Sequence, residues 1–195
     1  MNQAKIIKEI SNLVLSKCQK NGFLWFYDVH LLPAAKSAEE ILALYPAADR
    51  NVVLPAIWLH DIAKISQKNR EGFEGIHPAH HKEGADMAAE IMSDYKVDPK
   101  VTKKITNCIL RHRNSGNYKA ETLEEKVVAA ADTLSHFRSV FYLIHHKFHP
   151  ESTIAEMKEK QLSKLGRDWE DLNLLPKVQP LAENEFKVLK KLMES

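Results

Sequence analysis

The sequence predicts an all-α fold. Apolar residues recur at three- and four-residue steps along most of the chain, capping signals bracket those runs, and no stretch keeps the apolar–polar alternation of a half-buried strand. Ile6, Ile7, Ile10, Leu13 and Val14 mark one face of an N-terminal helix, which Asn21-Gly22 stops. The aromatic run FLWFYDVH leads into a second helix, expected from about His30 to Tyr45 with Pro33 in its first turn, where a missing N–H costs nothing. Residues 51–63 carry Val52, Val53, Ala56, Ile57 and Leu59 and read as a buried helix, with Pro55 in its first turn. The segment SQKNREGFEGIHPA, 66–79, holds Gly72 and Gly75, has no periodicity and reads as a loop.

Residues 80–95 are helical. Asp98 and Pro99 open the next helix as cap and first residue, and it runs to about Arg113, where NSGN breaks it. TLEEKVVAAADTLSHFRSVFYLIHH, 122–146, starts with a capping box from Thr122 to Glu125 and reads as one long helix. A helix at about 151–165, the irregular GRDWEDLNLLPKVQP and a last helix at about 181–193 complete the chain. The expected organisation is a single domain over 1–195, with an N-terminal helix at 1–20, a core of about 22–148 and a C-terminal helical extension of about 150–195.

Composition narrows the function classes. The 28 basic and 26 acidic residues leave a net charge of +2 with no long basic run, so no nucleic-acid partner is expected. Cys18 and Cys108 give neither a disulfide framework nor a CxxC pair and suit buried thiols in a reducing compartment. No run of about 18 apolar residues is present, so no membrane span is expected. The N-terminus is amphipathic rather than signal-like, and the expected location is the cytoplasm.

The chemistry-bearing residues sit at helix ends. His30 opens one predicted helix, and the pair His60-Asp61 closes another within WLHDIAK. Asp132 interrupts VVAAADTL, an otherwise apolar, small-residue face. An unpaired carboxylate there is costly to bury. A divalent cation would repay that cost, and imidazoles with carboxylates form a mixed N/O set suited to Mn, Fe, Ni, Zn or Mg. The alanines at 129–131 would let neighbouring helices come close around such an ion. Spacing alone leaves other roles open: Asp132 is equally a partner for Lys126 or Arg138, and a helix-end histidine serves the helix dipole.

The order H…HD…D on helices, centred on HDIAK, resembles the HD superfamily of metal-dependent phosphohydrolases. The resemblance runs from about Trp25 to Phe141. YDVHLLPAAKSAEEILALY looks like the helix of the first histidine, and HHKEGADMAAEIM like the helix whose histidine precedes a Gly-Ala pair by four. CILRHRNSG resembles the helix end bearing a further histidine, and TLEEKVVAAADTLSHF the helix of the final aspartate. Five pieces in the right order make the likeness specific.

The resemblance implies that His30, His60, Asp61 and Asp132 bind one metal ion. His80 and His112 match positions that hold a second ion in some branches, with Asp61 as bridge, and that touch substrate phosphate in others; His81 is the alternative to His80. The expected cofactor is therefore one or two divalent ions per chain: Mn, Fe, Ni, Co, Zn or Mg. Asp61 is expected to orient or deprotonate a water. Lys64 stands where some HD nucleotidases have an acidic residue. It places the chain with HDxxK types and suits a phosphate oxygen better than a proton. Arg111 and Arg113 flank His112 and are weaker phosphate candidates.

The expected activity is hydrolysis of a phosphoester or phosphoanhydride bond in a nucleotide or similar small phosphorylated substrate. The alternatives are a non-catalytic metal- and nucleotide-binding sensor and an iron-dependent oxygenase of the same superfamily. Among the remaining histidines, His136 shares a helix face with Asp132 and reads as a packed core residue. His145 and His149 read as helix-end residues, and His77 as a loop residue near a pocket mouth. Trp25, Phe26, Tyr27 and Trp58 read as core.

Overall fold

The computed structural model describes residues 3–66, 79–148 and 151–195, with residues 145–148 described by their backbone alone. His77, His149 and the side chain of His145 lie outside the described residues, as does nearly all of the segment read as a loop. The described chain is helical and without strands, apart from an isolated bridge between Ser115 and Tyr118. No helix of the described residues is long and apolar enough to cross a membrane.

Helix α4, Arg50–Leu59, is the axis of the fold. Every residue from Val52 to Leu59 is buried, so the helix presents apolar surface all round and must be enclosed. Helices α1 (Gln3–Asn21), α3 (Leu32–Leu44), α7 (Pro99–Arg111) and α8 (Leu123–Phe137) enclose it. Helix α6, His80–Asp94, packs on α7 and on the short α5, Ile62–Ser66. In the C-terminal part, α10 (Ile154–Asp171) packs against α8, α9 (Phe141–Phe148) and α11 (Glu183–Glu194).

The caps form as expected. Asp98 accepts from the Lys100 N–H at 2.7 Å, and Thr122 with Glu125 makes a reciprocal capping box.

Five expectations need correction. The second helical run begins at Leu24, not His30: α2 (Leu24–Phe26) passes through a π-helical turn, Tyr27–Leu31, into α3. Phe26, His30 and Leu31 are buried on one helical face, so the aromatic lead-in is itself helix. The π turn directly precedes Pro33, whose missing N–H breaks the α-helical ladder at that point. Pro55 lies inside α4 rather than in its first turn, and the predicted 51–63 helix breaks at His60-Asp61 into α4 and α5.

The single helix predicted over 122–146 is broken at Arg138–Val140. There the Ser139 hydroxyl accepts from the Phe141 N–H at 3.2 Å and starts α9 in a new direction. The predicted helix ending near 165 continues to Asp171, because Leu165, Asp168 and Leu172 extend its buried face past Gly166.

Candidate metal centre

His60 and His112 occupy the C-terminal ends of α4 and α7, and the two ends are built alike. The last carbonyls of a helix lack intrahelical donors. Each histidine supplies one: Nδ1–H of His60 donates to Ile57 O at 2.6 Å, and Nδ1–H of His112 to Ile109 O at 2.6 Å. Committing Nδ1 as the donor leaves Nε2 of each neutral ring with a lone pair turned inward.

His30 on the π turn is oriented from α8. The Ser135 hydroxyl donates to Asp132 O at 2.6 Å, so it accepts from His30 Nδ1–H at 3.0 Å. His30 Nε2 then also faces inward. His80 is the first residue of α6, and Gly84 one turn later explains its position. A Cβ on Gly84 would lie 3.4 Å from the His60 carbonyl oxygen. That is an ordinary contact, so a small residue at 84 lets α6 sit against the α4–α5 turn, on the face that carries His80.

These elements converge on Asp61, whose carboxylate is buried. On one side, His30 Nε2 lies 3.0 Å from His60 Nε2, 3.4 Å from Asp61 Oδ2 and 3.3 Å from Asp132 Oδ1. His60 Nε2 lies 3.5 Å from each of those oxygens. On the other side, His80 Nε2 and His112 Nε2 are 3.4 Å apart and lie 3.5 and 3.9 Å from Asp61 Oδ1. Two ligands each about 2.1 Å from an ion are about 3 Å apart at a right angle and about 3.4 Å at a tetrahedral angle. The edges of 3.0–3.5 Å fall close to those values, and the His112–Asp61 edge of 3.9 Å is longer. Asp61 Oδ1 is buried without a hydrogen-bond partner among the described residues, as expected of an oxygen reserved for a cation. The groups His30–His60–Asp61, His30–Asp132–His136 and Asp61–His80–His112 are therefore each able to hold a metal ion.

Protonation follows the same geometry. Burial pushes His30 down to about 4 and His112 down to about 3. Burial opposes charge on His60 too, but Asp61 and Asp132 outweigh it and raise its pKa. Burial would raise Asp61, yet Lys64 and the imidazoles hold it well below the usual carboxylate range; Asp132 behaves alike through His60, His30 and His136.

A cleft of about 550 Å³ opens over these groups, with Lys64, Arg113, Asp132 and Phe141 in its walls. Lys64 Nζ is 2.8 Å from Asp61 Oδ2. His81 is buried beside the cleft, edge-on to His80 and Tyr118. Arg111 turns away: it pairs with Glu121 at 2.8 Å and with the Lys119 carbonyl, and it is Arg113 that reaches the cleft wall.

With the geometry in hand, the comparison with known families is decisive. The HD domain family model matches residues 27–136, more than half of the chain. The chain belongs to the HD domain family. No curated protein and no solved structure gives a significant match. HD domains are largely metal-dependent hydrolases, and the buried His/Asp groups described above fit that character. The matched segment contains His30, His60, Asp61, His80, His112 and Asp132.

The sequence reading missed part of the HD-domain cleft. His136, read as core packing, lies in the cleft wall with its Nε2 3.7 Å from Asp132 Oδ1. Lys164, Arg167, Asp168 and Asp171 of the C-terminal extension line the same cleft. A signal existed in the four-residue spacing Lys164–Asp168, which places a carboxylate on the buried face of an amphipathic helix. Nothing in the sequence says that this face meets α8.

Proposed function

We propose that this HD domain is a metal-dependent phosphohydrolase that acts on a nucleotide or similar small phosphorylated substrate and holds one or two divalent ions. The observation that carries the reading is Asp61. Its two oxygens face different imidazole pairs, so one carboxylate joins two potential ion sites. His30, His60, Asp61 and Asp132 would hold one ion, and His80 and His112 with Asp61 a second. A divalent ion bound there lowers the pKa of a water and polarises a phosphoryl oxygen.

The protein groups supply positioning and charge. Asp61 stands beside any water held in either half and orients it. Lys64, now bonded to Asp61 Oδ2, has its ammonium at the cleft wall, where it neutralises a phosphate oxygen once Asp61 engages an ion. Arg113 takes the peripheral role expected of Arg111. Phosphoryl transfer asks mainly for such positioning and neutralisation.

The test is turnover by protein purified without chelator. Mn, Fe, Co, Ni, Mg or Zn is added, and the substrates are nucleoside mono-, di- and triphosphates and dinucleoside polyphosphates, assayed in air and under nitrogen. Metal-dependent release of phosphate or nucleotide in both atmospheres is expected. Turnover only in air would replace hydrolysis by oxygen chemistry, and tight nucleotide binding without product would favour a sensor.

A further inference from the structure

The C-terminal extension builds a buried structure whose effect falls on His136. Asp168 of α10 is buried and accepts three kinds of donor: His136 Nδ1–H at 2.9 Å, the Tyr142 hydroxyl at 2.7 Å and Lys164 Nζ at 2.9 Å. Burial would raise its pKa, but His136 and Lys164 outweigh that and hold it at about 2. A buried carboxylate this well satisfied fixes its partners in one arrangement.

For His136 the arrangement is fully determined. Nδ1–H is committed to Asp168, so Nε2 carries the lone pair. The ring is stacked on Phe141 at 3.9 Å between centroids and on His30 at 5.3 Å, so it cannot swing away. Nε2 faces the cleft beside Asp132, 3.7 Å from its Oδ1. Tyr142, Lys164 and Asp168 all lie beyond residue 136, where the family match ends.

We infer that His136, oriented by Asp168, is a further catalytic residue: its Nε2 accepts a hydrogen bond from the attacking water. This rests on the phosphohydrolase reading. Asp61 supplies one acceptor for that water and His136 a second, and two acceptors fix the direction of the oxygen lone pair toward phosphorus. No proton has to move to His136 for this role. Asp168 is a positioning residue, acting only through the imidazole.

The experiment uses the full chain loaded with Mn(II). His136→Asn keeps a donor for Asp168 and loses the Nε2 acceptor; Asp168→Asn keeps shape and loses charge; Tyr142→Phe removes one donor from Asp168 without touching His136. Four readouts are taken: melting temperature, Mn(II) stoichiometry, kcat and KM on p-nitrophenyl phosphate, its bis ester and ATP, and the proton relaxation rate of water. In His136→Asn, kcat is expected to fall about 100-fold with KM little changed, as for loss of orientation at the reacting atom. Its stoichiometry should hold and its water relaxation should differ from wild type. Asp168→Asn should lose about tenfold in kcat, and Tyr142→Phe almost nothing.

Unchanged kcat and unchanged relaxation in His136→Asn would overturn the inference. So would a loss of Mn(II), which would make His136 a ligand. So would a kcat loss in Tyr142→Phe matching that of Asp168→Asn, which would mark the network as merely structural. If the wild type turns over none of the substrates, the phosphohydrolase reading fails, and the relaxation comparison alone decides whether His136 holds water at the centre.

Discussion

The two halves of the centre share Asp61 but are not equal. The half formed by His30 and His60 adds a second carboxylate, Asp132, and the Ser135 hydroxyl locks one of its imidazoles from behind. The half formed by His80 and His112 has two imidazoles and only the shared carboxylate. Neutral imidazoles lend a dication no charge, whereas each carboxylate cancels one unit. On the proposed reading the first half should bind its ion more tightly. The second would rely on Asp61 Oδ1, the oxygen without a hydrogen-bond partner among the described residues. Asymmetry of this kind would make one ion resident and the other exchangeable.

Removing the shared group should have the largest effect. Asp61→Ala is expected to lose ion binding in both halves and to lower kcat by about a thousandfold or more, since several kcal/mol of charge stabilisation disappear. Elemental analysis beside the turnover assay checks this; full turnover in the variant would sink the proposed mechanism. Next in size are the half-specific variants. Asp132→Asn should release the first ion and cost at least about a hundredfold, while His112→Ala should release only the second. Titration with a chelator, followed by elemental analysis, should remove one ion before the other in the wild type. Simultaneous loss of both ions would show that the halves are equivalent.

The pH dependence sharpens the contrast in the metal-free protein. His30 and His112 have folded values of about 4 and 3, below the ordinary 6.5. Between those values the unfolded chain binds more protons than the native one. Their contribution to stability is complete above pH 6.5 and is lost as pH falls toward 4 and 3. His60 is raised and works in the opposite direction, so its contribution is lost as pH rises through its folded value. The net expectation is a drop of about 5–10 °C in melting temperature between pH 7 and 4 in EDTA. His112→Ala should flatten that slope, whereas Tyr142→Phe should not.

Legibility of the sequence followed the range of the forces. Caps such as Asp98 and Thr122 are local hydrogen bonds, and the structure has them where the sequence placed them. The helices were legible because one apolar stripe implies one buried face. Breaks decided by tertiary packing were not. Phe26 turns a lead-in into helix by burying beside His30, and Ser139 bends a continuous apolar pattern so that Phe141 can cover His136. The residues of the groups able to hold an ion were suggested by motif order: His60, His80 and His112 sit at helix ends and Asp132 on a small-residue face, whereas His30 lies in a π turn within a longer helical run. The spacing of Lys164 and Asp168 marked a carboxylate on a buried helix face, but its role depends on which helix α10 meets, a contact between residues 32 positions apart in sequence.

The smallest predicted effect concerns Gly84, where packing sets the distance between the halves. A Cβ there would stand 3.4 Å from the His60 carbonyl oxygen, 3.6 Å from Ile109 Cγ2 and 3.8 Å from Ile62 Cγ2, all within ordinary contact. Alanine therefore fits without displacing α6, and its better helix propensity offsets whatever the new contacts cost, an amount of about 1 kcal/mol. Gly84→Ala should melt within a few degrees of wild type and keep both ions. Valine adds two methyl groups against the same backbone and must push α6 outward. His80 rides on the first turn of that helix with its whole side chain, whereas His60 meets it through its backbone carbonyl oxygen. Gly84→Val should accordingly weaken the exchangeable ion while sparing the resident one, a difference that calorimetric titration of the metal-free variants with Mn(II) would resolve. Equal weakening of both would mean that α6 supports the whole centre rather than its second half.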